Sequence, residues 1–372
     1  MSVTGTEAIL LRLASIFAFV ALACPSVTLA CQFHGYIPQQ TIVDRMLASD
    51  HIVLAQPAPE DPYRFMAVEA LAGGLANVDI PYLVDSASRR RMAANPEHRV
   101  LFARDPTDGT WRQLAYLDRD YRALIDHVVA RLPDWEAGHD ADRYQLFADL
   151  HDHPNTRIRT LALFELDRMD YGTLRTLAIR PNAAAIRARF DKPSEMHLRS
   201  IRVLLIGLSD DPETRAFLTS GLSTMNRWDR PLVGAYATAW LEHEGAEAAH
   251  ALATHYLNAP TTSSAAQEMI VEAMAIHSQS GDPATQQAIA DLLPTALDHV
   301  PDLAPVIARQ FGARADWSQR DALAAILEQG WLSAPTDVIT VSHYVALAAA
   351  SADATQLRDF RNLKSRRQNI DF

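Results

Sequence analysis

The chain has 372 residues, of which 48% are hydrophobic and 21% charged, with 14 glycines and 20 prolines. This composition excludes the disordered and low-complexity classes, and the length predicts two domains. The formal net charge of −11 works against a sequence-independent grip on nucleic acid or on anionic lipid. We therefore expect a globular protein without a nucleic-acid partner.

The N-terminus has the three parts of a secretory signal. Arg12 precedes an apolar run over residues 13–23, and the small residues Thr28 and Ala30 follow Pro25. The apolar run is too short to span a membrane as a helix. We predict a signal peptide over residues 1–30 that is cleaved after Ala30, with cleavage after Ala23 as the alternative. The mature protein is then exported to the periplasm or cell envelope of a bacterium.

The two cysteines both lie beside the predicted cleavage sites. Cleavage after Ala30 leaves Cys31 as the only cysteine of the mature chain, which therefore cannot form an internal disulfide. Leu29, Ala30 and Cys31 resemble the end of a bacterial lipobox, although Thr28 stands where that motif most often has leucine. The resemblance implies a lipid anchor at Cys31, the one membrane association that we expect. A free or intermolecularly paired thiol is the alternative.

Residues 31–135 form the first predicted domain, which is small and β-rich. Period-two alternation and Gly or Pro turn signals predict five strands, and helical periodicity predicts a helix on each side of them. The predicted strands cover residues 51–55, 63–71, 78–84, 99–103 and 111–117, and the predicted helices cover residues 41–48 and 119–132. Short strands flanked by helices favour a twisted sheet or a partly closed barrel.

The order of elements in residues 31–117 resembles that of netrin-like, metalloproteinase-inhibitor-like barrels. The features that carry the resemblance are the cysteine at the start, the first helix, the strands near residues 50–55 and 65–73, and the hairpin over residues 100–111. The resemblance implies an OB-like barrel and, as one functional hypothesis, a protease-inhibitor-like module. That family uses disulfides that this chain lacks, so only the element order carries over and no inhibitory residue is assigned.

Arg89, Arg90 and Arg91 form the basic run of this region. Guanidinium groups pair in a bidentate way with carboxylate and phosphate, so one hypothesis is a binding site for an anion or an acidic partner. The alternative is a solvated loop or helix start that follows Asp85 and Ser86, because charge runs usually lie on exposed surface.

Residues 139–372 form the second predicted domain, in which helical periodicity replaces β alternation throughout. Breaker and cap residues separate the predicted helices, and short loops predict antiparallel neighbours. The pattern of a proline, any one residue, Thr and then Arg or Gln recurs at Pro154, Pro212 and Pro283, each time before an apolar helical run. We expect each proline to mark a helix start within a degenerate array of stacked hairpins.

Residues 154–159 with 162–166, and residues 212–215 with Phe217 and Leu218, resemble HEAT-type helical repeats. That resemblance implies an all-α solenoid that serves as an interaction scaffold. The expected fold class is thus α+β and multidomain, with a small β-rich domain followed by a HEAT-like solenoid.

Catalytic motifs are scarce. The chain has no Gly-x-Ser-x-Gly, phosphate-binding or dinucleotide-binding motif, and no cofactor is predicted. His151, Asp152 and His153 offer two imidazoles and a carboxylate before Pro154, and a metal-dependent envelope hydrolase that uses them is one alternative. The other interpretation is a polar loop, because metal sites need about three or four convergent ligands. The leading hypothesis is a non-enzymatic exported protein that binds another protein.

Overall fold

The computed structural model describes residues 40–224, 232–259 and 261–368, with side chains as far as residue 352. The predicted signal peptide and Cys31 lie outside the described residues. The first described helix, α1 (Ile42–Leu47), begins with a capping box. The Thr41 hydroxyl accepts a hydrogen bond from the Asp44 amide at 3.1 Å, and the Thr41 amide donates to the Asp44 carboxylate at 2.8 Å. Two amides of the first turn are thereby satisfied.

An antiparallel sheet of four strands follows α1. The strands are β1 (His51–Pro57), β2 (Phe65–Ala72), β3 (Arg99–Arg104) and β4 (Trp111–Leu117), and their order in the sheet is β2-β1-β3-β4. The four strand predictions at these positions are confirmed. Strands β2 and β4 are the two edges of the sheet, and the described residues do not pair one with the other. The structure therefore has an open sheet here and not a closed barrel.

The fifth predicted strand, over residues 78–84, is wrong. Only Leu83 of this segment forms a bridge, with Arg64. Pro81 has no amide hydrogen to donate to a neighbouring strand, which disfavours a ladder at this point. The apolar residues that suggested a strand cover the sheet instead, since Ile80 and Val84 are buried against it.

Both faces of the sheet are covered, because successive side chains of a strand point to opposite faces. On one face, Ile52 and Leu54 of β1 pack with apolar residues of α3 (Arg119–Glu136). On the other face, Val53 and Ala55 pack with residues 80–84 and with Met92 of α2 (Ser86–Ala94). Strand β1 is consequently buried along four consecutive residues.

The core under α3 continues into the first helical pair, α4 (Ala141–Asp149) and α5 (Thr156–Asp167). Phe147, Ile158 and Leu161 belong to the same buried cluster as Ile52 of the sheet. Residues 136–140 therefore mark a change of secondary structure, while the packing is continuous across them.

The remainder of the described chain is helical, so the α+β class is confirmed. The further helices are α6 (Tyr171–Leu174), α7 (Ala183–Arg187), α8 (Arg199–Gly207), α9 (Thr214–Thr224), α10 (Val233–Glu244), α11 (Ala246–Leu252), α12 (Ser264–Ser280), α13 (Pro283–His299), α14 (Ala304–Gly312), α15 (Arg320–Gln329) and α16 (Pro335–Gln368). Short 3-10 helices cover Pro193–Leu198 and Pro301–Leu303, and Ala253–Leu257 is a π-helical turn. Helix α6 is a single turn, and α16 runs without a break from Pro335 to Gln368. None of the described helices is long and apolar enough to cross a membrane.

Alternate helices stack against one another. Helix α10 packs against α8 and α12, and the row continues from α12 to α14 and from α14 to α16. A second row joins α11 to α13 and α13 to α15. The three proline motifs each precede a helix start, as expected: Asn155 caps α5, Asp282 caps α13, and α9 begins two residues after Pro212.

Candidate functional site

A groove of about 560 Å³ lies where the open edge of the sheet meets the helices. We call it the β4 groove. It is lined by residues of α1, β4, α3 and α5 together with the two residues before α1, namely Gln40, Thr41, Ile42, Arg45, Leu114, Ala115, Tyr116, Tyr121, Thr156, Arg157, Thr160, Leu161 and Phe164. Its wall is thus mainly apolar, and Arg45 and Arg157 contribute its cations.

The edge strand β4 forms one side of the groove. Among the described residues β4 pairs only with β3, so its other side is open to a further strand. Side chains engage carbonyls near both ends of β4: the Tyr82 hydroxyl donates to Trp111 O at 2.9 Å, and Arg157 donates to Tyr116 O at 3.1 Å. Leu114 and Ala115 lie between these positions and border the groove.

Tyr116 marks one end of the groove and is surrounded by cations. The guanidinium carbons of Arg91 and Arg157 lie 5.7 Å and 5.5 Å from its ring centre, and its hydroxyl is 3.0 Å from Nδ1 of His98. Burial raises the pKa of the Tyr116 phenol, and the charges of Arg91 and Arg157 oppose that change. The Tyr116 phenol therefore remains a neutral donor and acceptor at this end of the groove.

The arginine run predicted as a binding site does not converge. It lies in helix α2, which Asp85 caps by accepting hydrogen bonds from the amides of Ala87 and Ser88. Successive helical residues point about 100° apart, so the three side chains diverge. The guanidinium carbon of Arg89 lies 4.5 Å from the ring centre of Tyr63, and Arg90 is exposed. Of the three, Arg91 is the one that contacts Tyr116. The run therefore lies at the start of a helix that follows Asp85, and its binding of an anion or an acidic partner stays a prediction.

The metal interpretation of His151, Asp152 and His153 is not supported by their geometry. Nδ1 of His151 is 2.7 Å from the carbonyl of Ala148, and Nδ1 of His153 accepts the Asn155 amide at 3.1 Å. Asp152 is exposed whereas His151 is buried. Within the described ranges no three His, Cys, Asp or Glu side chains are placed to hold a metal ion. These ring nitrogens hold the turn between α4 and α5 in place instead.

The groove residues on α5 were missed by sequence reasoning. Thr156, Arg157 and Thr160 follow the Pro154 motif and looked like the polar surface of a repeat. No local signal marks them, because Phe164 belongs to the apolar run of α5 in the sequence and its partial exposure appears only in the fold.

Comparison with family models, curated proteins and solved structures gave no match. The function is therefore inferred from the groove and from the fold.

Proposed function

We propose that this chain is an exported, non-enzymatic protein of the bacterial envelope that binds an extended, mostly apolar segment of a partner protein in the β4 groove. The observation that carries the proposal is the open side of β4 at Leu114 and Ala115, beside an apolar wall. A peptide that adds a strand at such an edge gains main-chain hydrogen bonds, and an adjoining groove selects its side chains.

The groove wall suits such a segment. Leu161 is buried, and Ile42 and Phe164, which also line the groove, are partly exposed. A volume of about 560 Å³ lies within the usual range for ligand sites, roughly 300–1,000 Å³. Arg45 and Arg157 at the rim favour acidic residues beside the apolar part of the partner segment, because rim charges select partners and speed association.

The stacked helices support the same scaffold role. We infer that the two rows, α8-α10-α12-α14-α16 and α11-α13-α15, are the layers of a degenerate HEAT-like solenoid, since each helix of a row contacts its nearest neighbours. Export through residues 1–30 and a lipid anchor at Cys31 belong to the same proposal. Mass spectrometry of the mature N-terminus tests both, and an unmodified terminal Cys31 would rule out the anchor.

The groove is tested by blocking it without removing core packing. Thr160→Arg places a long side chain in the groove from a half-buried helical position, and Thr219→Arg makes the same change on α9, outside the groove. Partners are captured from an envelope extract with the mature chain, and fluorescence polarisation then measures the affinity of peptides from the captured protein. We expect Thr160→Arg to weaken peptide binding at least tenfold and Thr219→Arg to leave it unchanged.

Two further controls define how the segment binds. N-methylation of alternate amides in the bound peptide removes strand hydrogen bonds while keeping its side chains, and should abolish binding. A chain that begins at Gln40 is compared with one that begins at residue 31, because residues 31–39 adjoin the groove in sequence. If the chain that begins at Gln40 binds the peptide and the chain that begins at residue 31 does not, residues 31–39 themselves occupy the groove. Equal affinity for Thr160→Arg and the unmodified chain, or measured turnover of a substrate, would overturn the proposal.

A further inference from the structure

A second cavity, of about 110 Å³, lies between α5, α7 and α8. Its polar wall contains His151, Arg159, Arg189 and Arg202, and Asp152 is the one acidic residue among the described residues that line it. We call it the arginine pocket. It is separate from the β4 groove, with which it shares no lining residue.

Arg159 is a buried cation without a carboxylate partner among the described residues. It is 7% exposed, and its guanidinium donates to the carbonyls of His153 and Pro154 and to the hydroxyl of Thr156. Burial lowers the pKa of Arg159, the nearby charges of Arg189 and Arg202 lower it further, and the charges of Glu195 and Asp152 oppose the change. Buried charges in folded proteins are usually paired, so this positive charge lacks its usual compensation.

The two other arginines add to the excess of positive charge. Arg202 forms a buried ion pair with Glu195 and also donates to the carbonyl of Arg189 at 3.2 Å. The half-buried side chain of Arg189 lines the pocket and forms no hydrogen bond or ion pair with a described residue. Glu195 and the exposed carboxylate of Asp152 both oppose the positive charge of Arg159, so three arginines stand against two carboxylates.

His151 supplies an unused polar atom at the same place. The ring is 9% exposed and forms part of the pocket wall. Its Nδ1 is committed to the carbonyl of Ala148 at 2.7 Å, whereas Nε2 is buried and has no hydrogen-bond partner in the described structure. A buried polar atom without a partner is costly. Because Nδ1 donates to a carbonyl, Nε2 of the neutral ring is an acceptor, and a ligand hydroxyl group would satisfy it.

We propose that the arginine pocket binds a small oxyanion of the phosphate class, held by the guanidinium groups of Arg159 and Arg189, with Nε2 of His151 placed to accept a hydrogen bond from a protonated phosphate oxygen. The two guanidinium groups approach from different parts of the chain, which suits a tetrahedral anion better than a planar carboxylate that accepts one bidentate pair. The cavity has room for a single oxyanion group and not for a nucleotide. The positive charges of the surrounding arginines disfavour a metal ion beside His151 and favour an anion there.

Calorimetric titration of the mature protein with inorganic phosphate tests the proposal, in chloride buffer at constant ionic strength. We expect saturable binding at one site and a rise of the thermal unfolding midpoint with phosphate concentration. Arg189→Gln should weaken phosphate binding at least tenfold, because a hydrogen bond to a charged group is lost. This variant should fold normally, since the Arg189 side chain contacts no hydrogen-bond partner in the described residues.

Arg309→Gln is the matched control. Arg309 is exposed, pairs with Glu268 and does not line the arginine pocket. Its phosphate affinity should equal that of the unmodified protein. Sulfate should compete with phosphate, and acetate at the same concentration should compete weakly. Absence of saturable phosphate binding, equal affinity of Arg189→Gln and Arg309→Gln, or stronger binding of acetate than of phosphate would each overturn the proposal.

Discussion

Arg143 on α4 and Glu165 on α5 form an ion pair that is closed to solvent, with Nη2 of Arg143 2.7 Å from Oε2 of Glu165. The same guanidinium also contacts the carboxylate of Asp44 at 2.8 Å, so one side chain ties α1 to the first helical pair. Burial raises the pKa of Glu165, which the charge of Arg143 opposes. The sheet region and the helices are thus joined by a buried polar network as well as by a shared apolar core.

Removal of Arg143 should destabilise the protein strongly. Arg143→Met leaves Glu165 buried without its cation, and breaking a buried pair in this way costs about 3–5 kcal/mol of unfolding free energy. Arg309→Met breaks the exposed pair with Glu268 and should cost less than about 1 kcal/mol. Urea unfolding measures both values. A loss below about 1 kcal/mol for Arg143→Met would contradict the role given to this network.

Gly207 allows the close crossing of α8 and α10. A Cβ at Gly207 would lie 2.7 Å from the Cα of Ala239, a backbone atom that cannot move aside alone. Alanine improves helix propensity by about 1 kcal/mol, whereas overpacking costs about 1–3 kcal/mol. We expect Gly207→Ala to lower stability in a thermal unfolding measurement. Gly74→Ala, whose Cβ would meet no atom closer than 3.9 Å, should be neutral, and equal effects would refute the steric account.

His277 should make the protein less stable in mild acid. Burial lowers the pKa of His277 to about 4, and its Nε2 is 3.1 Å from the carbonyl of Thr238. The unfolded chain, with an ordinary histidine pKa near 6.5, binds more protons than the folded chain between pH 6.5 and pH 4. Stability therefore falls as pH drops through this window, by about 3 kcal/mol in all.

The contribution of His277 is isolated by comparison with His277→Gln. This variant has lower stability at pH 7, but it should lose less between pH 7 and pH 4.5 than the unmodified protein in urea titrations. The pKa of Glu165 is raised by burial, so its protonation favours the folded chain as the pH falls. This effect on stability is opposite to that of His277 and is the same in both proteins. Parallel pH profiles for the two proteins would show that His277 does not titrate as expected.

Tyr344 tests whether the helical array unfolds locally. Its buried hydroxyl donates to the carbonyl of Asp316 at 2.7 Å and its ring packs on Trp317. Tyr344→Ala should cost about 3–5 kcal/mol at this site. In a solenoid each unit depends mainly on its neighbours, so hydrogen exchange should speed up in α14, α15 and α16 and remain unchanged in β1–β4. Uniform loss of protection along the chain would argue against repeat-like behaviour.

Much of the secondary structure was predictable from local pattern. Alternation located β1 to β4, and the residues after Pro154, Pro212 and Pro283 start helices as the motif predicted. The prediction of a strand over residues 78–84 was wrong because the apolar residues of this segment cover a face of the sheet. A local sequence pattern does not distinguish a segment that covers a sheet from a strand that pairs within it. Pro81 was the available warning.

The sites were less predictable, because they depend on residues that meet only after folding. The histidines at 151 and 153 are adjacent in sequence, yet their ring nitrogens satisfy different backbone groups of one turn. Arg159, Arg189 and Arg202 are far apart in sequence and carry no motif, yet they line one pocket.

The sequence by itself determined the α+β class, the start points of most helices and the expectation of export, because these depend on local periodicity, caps and composition. Only the tertiary structure decided that the described residues leave β4 as an open edge, that α5 completes a groove beside that edge, and that three arginines line one cavity. Long-range packing fixes which surfaces face each other, and that information is distributed over residues that no local pattern connects.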